Sequence, residues 1–269
     1  MNFLVKDIEI NDRKAPLRCY LPDAAPRAVY KTNRPAVIVF PGGGYELTYP
    51  GEAEPIALQY VAAGACAFVL DYSVYPARFP QALLEGLTAV RYVRENAEEF
   101  GIDAQNIAVC GFSAGGHLAA CTGTLWNHEV IEGLLEGERT LYRPDKLILS
   151  YPVINIGHRG SFLNLFSRNE EELTKKTIEL LSLENRVTEE TPPAFIWHNC
   201  DDACVPVMGS LRFATSLCEK GVPFQLRVYG KGGHGICSAH HVTVESPYGN
   251  RIPCAAWVAD SIDFLFGKV

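Results

Sequence analysis

The stretch Ile107-Ala108-Val109-Cys110-Gly111-Phe112-Ser113-Ala114-Gly115 decides the fold. Its first four residues are a short, continuously apolar run, the pattern of a strand covered on both faces. Gly111-Phe112-Ser113-Ala114-Gly115 then fits the pattern G-x-S-x-G. Glycines on both flanks permit a sharp turn from strand into helix. Such a turn lifts the Ser113 hydroxyl above a sheet and places the first amides of the next helix beneath it. Ser113 is therefore a candidate nucleophile, and the Ala114 amide a candidate donor to a developing oxyanion.

The same alternation recurs on either side. Continuous apolar runs at 36–40, 65–70, 106–110, 146–150, 194–197 and 224–229 read as parallel strands. Helical spacing separates them, at 54–63, 115–126, 207–220 and 255–266. Leu83, Leu84, Leu87, Val90 and Val93 form a further apolar helix face, with Arg91, Arg94, Glu95 and Glu98 largely opposite and Gly101 as a stop. Strand alternating with helix predicts a mostly parallel central sheet with helices on both faces. The first 35 residues depart from the alternation. Residues 4–10 and 17–21 read as two strands joined through Asn11-Asp12, an antiparallel hairpin extending one sheet edge. Residues 1–269 are thus expected to form one α/β domain. Residues 154–190 fall outside the alternation and are expected to be a cap- or lid-like insertion, or else a peripheral helix.

A serine nucleophile needs amide donors, a base and an orienting acid. Pro41-Gly42-Gly43-Gly44-Tyr45 follows the strand at 36–40, and its glycines let the backbone approach a ligand closely. No Gly-Lys-Ser/Thr follows, and the G-x-G-x-x-G spacing is absent, so nucleotide-cradling loops are excluded. Of seven histidines, His234 stands out. It lies in Gly230-Lys231-Gly232-Gly233-His234-Gly235, directly after the last strand, where open parallel sheets form their sites. His117 lies one turn along the serine's helix and reads as structural; His198 ends a strand near the site; His240 and His241 carry little pattern. Asp201 and Asp202 follow the strand at 194–197, and either can orient the base. His198, Cys200 and Cys204 make only a three-ligand cluster, with no fourth at structural-zinc spacing, so no metal is expected.

Composition narrows the function classes. The 269 residues carry 24 Lys+Arg against 31 Asp+Glu, a net charge of −7. An acidic chain without a basic run is a poor partner for nucleic acid or an anionic membrane. The N-terminal apolar run is short and interrupted by Asp7 and Glu9, unlike a signal peptide, and no stretch approaches the roughly 18 apolar residues of a membrane span. A cytoplasmic location is expected, with the nine cysteines acting mainly as reduced, small hydrophobes. Self-association into a homo-oligomer is compatible with the sequence.

The sequence resembles the α/β-hydrolase esterase/lipase family, near the hormone-sensitive-lipase-like carboxylesterases and small bacterial acetyl (xylan) esterases. The marks are Pro41-Gly42-Gly43-Gly44-Tyr45, Asp71-Tyr72-Ser73-Val74-Tyr75-Pro76, Gly101-Ile102-Asp103, Gly111-Phe112-Ser113-Ala114-Gly115-Gly116-His117, Asp202-x-x-x-Pro206 and Gly233-His234-Gly235. The chain order Ser113, Asp202, His234 is that of this fold. The resemblance favours Asp202 over Asp201, because the family places its acid four residues before the proline. It implies oxyanion amides at Gly43 and Gly44, with Gly42 as a supporting turn. Pro41 replaces the histidine of the common His-Gly-Gly-Gly form. A serine esterase of small, acetyl-type esters follows as the expectation, with a small-molecule ester as substrate and no cofactor. Tyr45, Glu46 and Tyr75 are candidate pocket residues. An amide hydrolase of the acylaminopeptidase or formamidase kind, and a binding protein that has lost catalysis, are the alternatives.

Overall fold

The computed structural model describes residues 1–23, 33–239 and 253–267. Eight strands form one sheet: β1 (Asn2–Ile10), β2 (Arg13–Leu21), β3 (Arg34–Phe40), β4 (Cys66–Leu70), β5 (Ile102–Phe112), β6 (Lys146–Ser150), β7 (Ala194–Asn199) and β8 (Phe224–Tyr229). Their spatial order is β1-β2-β4-β3-β5-β6-β7-β8. β1 pairs antiparallel with β2, and β2 antiparallel with β4; every pairing from β4 to β8 is parallel. Asn11 and Asp12 both take left-handed backbone, with φ of 51° and 61°, as the tight turn of a twisted hairpin requires. The mostly parallel α/β sheet and its N-terminal hairpin agree with the sequence pattern.

The helices are α1 (Glu54–Ala62), α2 (Gln81–Glu95), α3 (Ala97–Phe100), α4 (Ser113–Leu125), α5 (Arg159–Leu165), α6 (Lys175–Leu180), α7 (Met208–Glu219) and α8 (Trp257–Leu265). The strand period of two divides the core between the sheet faces. Ala36, Ile38 and Phe40 of β3 join one cluster with Leu87 of α2, Leu118 of α4 and Phe213 of α7. Val37 and Val39 join the other, with Tyr60 of α1 and Trp257 of α8. Helices therefore cover both faces, and each large apolar side chain so buried is worth about 1.5–3 kcal/mol.

Several boundaries differ from the sequence reading; β1 begins at Asn2 and β2 at Arg13, ahead of residues 4 and 17. β5 reaches back to Ile102 rather than beginning at 106, because Arg34 pairs with Ile102 ahead of a register shift. Backbone pairing does not require apolar side chains, so periodicity missed it. Helix α4 begins at Ser113 itself, two residues earlier than its apolar pattern. Residues 154–190 hold α5, α6 and short 3-10 turns. This segment is tied down at several points: Phe79 N–H donates to Leu165 O, Arg78 pairs with Glu172, and His117 reaches Leu181 O.

Candidate active site

Strand β5 delivers the serine. Ser113 has φ of 51°, a left-handed backbone that L-residues adopt at a cost of roughly 1–2 kcal/mol. The surrounding glycines make the turn possible by close approach. A Cβ at Gly111 would lie 2.1 Å from Gly115 O, and a Cβ at Gly115 would lie 2.1 Å from Phe40 O. Helix and strand are packed backbone to backbone, which explains both glycines of the motif. Phe112 supplies no side-chain cap to α4, so the first amides of the helix, Ala114 among them, stay free for an outside acceptor.

His234 Nε2 lies 2.9 Å from Ser113 Oγ, and His234 Nδ1 lies 2.6 Å from Asp202 Oδ2. Ionised Asp202 only accepts, so Nδ1 carries the proton and Nε2 faces the serine hydroxyl with its lone pair. The three residues come from turns after β5, β7 and β8, at one end of the parallel strands. Asp202 is buried. Its Oδ1 accepts from the Cys204 and Val205 amides at 2.9 and 2.8 Å. Burial pushes its carboxyl up, but the bonds from His198, His234 and the Val205 amide outweigh that and hold it well below the usual carboxylate range. Asp201 does different work: its Oδ1 accepts from the Gly232 and Gly233 amides, both at 2.9 Å, and so pins the loop that carries His234.

The glycine loop lies against Ser113. A Cβ at Gly42 would stand 3.1 Å from Ser113 Cβ. Gly43 and Gly44 have φ of 124° and 66°, and a Cβ on Gly43 would strike Leu47 O at 2.2 Å. The Gly42 amide is engaged, donating to Glu52 Oε2 at 2.7 Å. Those of Gly43 and Gly44 find no acceptor among the described residues. Gly43, Gly44 and Ala114 are therefore the amides available to an anion at Ser113.

The three candidate pocket residues are placed differently from one another. Tyr45 is buried; its φ of 58° turns the ring inward, and its hydroxyl donates to His117 Nδ1 at 3.0 Å. It braces the loop from the core and, with Tyr75 and Asn164, lines a small pocket beside it. Glu46 is exposed and paired with Arg168, whose guanidinium also covers the Tyr75 ring at 4.3 Å. Both thus meet the 154–190 segment at the rim. Asn164 from α5 donates to Gly44 O at 3.0 Å and fixes the same loop from outside.

His117 is fully buried, held between Tyr45 and Leu181 O, and burial pushes its pKa down to about 4. His198 is also buried, with Nδ1 against Ser210 Oγ and Nε2 against Val205 O. Both ring nitrogens are thereby engaged. His240 and His241 lie outside the described residues. A cleft of about 150 Å³ opens between Val153, Ile154, His158, Val205, Met208 and neighbouring residues. Its walls are chained to the site, since Val153 N–H donates to Ser113 O and Val205 N–H to Asp202. Glu52 and Tyr151, discussed below, were invisible to sequence reasoning: nothing local distinguishes a buried glutamate in Pro50-Gly51-Glu52 from a solvated helix-start acid.

Residues 20–217 match the BD-FAE family. The chain is 38% identical to endo-1,4-beta-xylanase B of Butyrivibrio fibrisolvens over 77% of its own length and 33% of that protein's. It is 29% identical to an acetylxylan esterase of Xylanibacter ruminicola, over 84% of this chain and 44% of the relative. The chain thus spans a third to under half of the length of these two relatives. Among solved structures, an acetyl ester-xyloside bifunctional hydrolase from Caldicellulosiruptor lactoaceticus superposes with a TM-score of 0.79 at 34% identity, covering 96% of this chain and 89% of that one. The fold, the turn at Ser113 and these likenesses agree: the chain belongs to the BD-FAE family and has the α/β-hydrolase fold.

Proposed function

We propose that the protein is a serine carboxylester hydrolase acting on small, acetyl-type esters, including acetyl groups carried by sugars. One observation carries the catalytic reading: a single imidazole spans a left-handed, strained serine and a buried carboxylate, at 2.9 and 2.6 Å. His234 takes the Ser113 proton as Oγ attacks the ester carbonyl, and Asp202 orients the ring and stabilises its charged form. The amides of Gly43, Gly44 and Ala114 receive the oxyanion. Collapse expels the alcohol, protonated by His234. Water, activated by the same histidine, then releases the acid.

The small-ester part rests on the relatives. Relatives named for acetyl ester and acetylxylan hydrolysis share the fold. The test is a hydrolysis series of p-nitrophenyl acetate, butyrate and octanoate with acetylated xylo-oligosaccharides, alongside fluorophosphonate labelling. Acetyl esters should turn over fastest, and the label should enter the wild type but not Ser113→Ala, whose kcat should fall by about 10⁶. Preference for octanoate would overturn the substrate class. Labelling that survives in Ser113→Ala would overturn the nucleophile.

A further inference from the structure

Glu52 closes the single turn Pro50–Glu52 and is only 2% exposed. No lysine or arginine pairs with it among the described residues. Its two oxygens instead meet two donors. Oε2 accepts from the Gly42 amide at 2.7 Å, and Oε1 accepts from the Tyr151 hydroxyl at 2.5 Å. Tyr151 Oη in turn accepts from the Cys237 amide at 3.1 Å, so its own proton is directed to Glu52. Both carboxyl oxygens are therefore acceptors. If the carboxyl were protonated, its hydrogen could go only to Tyr151 Oη, which already accepts from the Cys237 amide and would then need another acceptor for its own hydrogen. Donor accounting thus favours the anion, opposed by burial, which pushes the Glu52 carboxyl upward even with the Tyr151 and Gly42 bonds holding it down.

The places it joins are the two loops that flank Ser113, the glycine loop and the loop carrying His234. Gly42 begins the glycine loop, and a Cβ there would meet both Glu52 Oε2 at 2.6 Å and Ser113 Cβ at 3.1 Å. Tyr151 follows β6, and its ring meets the His234 ring edge to face with centroids 4.9 Å apart. Its hydroxyl holds Cys237, three residues beyond His234. One buried carboxylate therefore braces the oxyanion loop and the histidine loop at once.

Building on the serine-hydrolase reading, we propose that Glu52 is a positioning residue that acts as an ionised carboxylate. It fixes the oxyanion loop through Gly42 and the histidine loop through Tyr151, and it stabilises the imidazolium that His234 becomes on taking the serine proton. The titratable groups facing Glu52 are Tyr72, Cys110, Tyr151, Cys237 and His234. Burial pushes the two phenols and two thiols upward, so they stay neutral and His234 is the one group of the five that can become a cation. Asp202, Tyr151 and His158 face His234 as well, and Asp202 supplies the nearer negative charge.

Glu52→Gln keeps the shape and removes the charge. With p-nitrophenyl acetate, its kcat should fall about 10²-fold with KM little changed, because glutamine offers one acceptor oxygen where Gly42 and Tyr151 need two, so one of the two loops loses its anchor. Its kcat/KM profile should also move: without the anion, His234 gives up its proton more readily, so the acidic limb shifts to lower pH by roughly half a unit or more. A merely structural glutamate would leave that limb in place, and an unmoved limb overturns the proposal. If Glu52→Gln does not fold, Tyr151→Phe decides, since it keeps the ring against His234 and removes only the hydroxyl. Its kcat should drop about tenfold at constant KM, and wild-type kcat there overturns the proposal too. A wild type that fluorophosphonate does not label sinks the serine-hydrolase reading instead.

Discussion

His198 Nε2 lies 3.2 Å from Asp202 Oδ2, the oxygen that also receives His234 Nδ1 at 2.6 Å. Val205 O, 2.9 Å from the same Nε2, can only accept, so that nitrogen carries the proton and Nδ1 takes the hydrogen of Ser210. A second histidine therefore donates to the acid of the site from below. His198→Phe would strip this donor and leave the Val205 carbonyl and Ser210 hydroxyl unpaired in the interior. Stability should fall by about 1–3 kcal/mol. kcat should fall about tenfold, far less than for loss of Asp202, which keeps His234 and two amides. Thermal unfolding and steady-state kinetics on one preparation read both, and unchanged values in each would remove His198 from the account.

The paired aspartates separate by what they hold. Asp202→Asn keeps the size but presents an amide that favours the wrong tautomer of His234, and kcat should drop by about 10⁴. Asp201→Asn retains an oxygen for the Gly232 and Gly233 amides and should cost less than about tenfold. Asp201→Ala loses that oxygen, so the histidine loop loosens and kcat falls further. Equal losses for the two asparagine variants would mean that both carboxylates serve the histidine directly.

These contrasts show which parts of the site the sequence exposes. The turn at Ser113 was legible because strand, glycines and helix are contiguous, and a local rule covers all of them. Gly232-Gly233-His234 was legible because it follows a strand end. Glu52 with Tyr151, and Tyr45 with His117, are partners 99 and 72 positions apart. No spacing rule reaches that far. Tyr45 directly follows the glycine loop, and its positive φ sends the ring inward to His117, a contact its position alone does not reveal. The 154–190 segment gave little pattern because its helices are short and its buried residues, Phe162, Leu165, Phe166, Leu181, Leu183 and Val187 among them, are spread over helices and turns with no single helical period.

Strain at the nucleophile gives a stability prediction opposite to the usual one. Ser113 holds φ of 51°, which glycine adopts without penalty. Ser113→Gly should abolish turnover and yet unfold at the same temperature as the wild type or higher. The relief of roughly 1–2 kcal/mol offsets the lost hydrogen bond to His234. Ser113→Ala keeps the strain and should be the less stable of the two. A melting comparison of the three proteins decides; a clearly destabilised glycine variant would mean the turn stores no such strain.

The buried His117 makes stability depend on pH in a window set by its own shift. Burial lowers its folded pKa to about 4 from an unfolded value near 6.5. Between those values the unfolded chain binds a proton that the folded chain refuses, so stability is full above pH 6.5 and falls as the pH drops toward 4. The whole effect is about 3 kcal/mol. Asp202 acts lower: its folded pKa is depressed, so its contribution is present above the ordinary aspartate value of about 3.9 and is lost only below it. The two windows can therefore be told apart. His117→Asn, which can still meet Tyr45, should flatten the slope of denaturation free energy between pH 6.5 and 4 and leave the steeper loss below pH 4 in place. Urea titrations at pH 7, 5.5 and 4.5 measure this, and a wild-type slope in the variant would assign the acid sensitivity to another group.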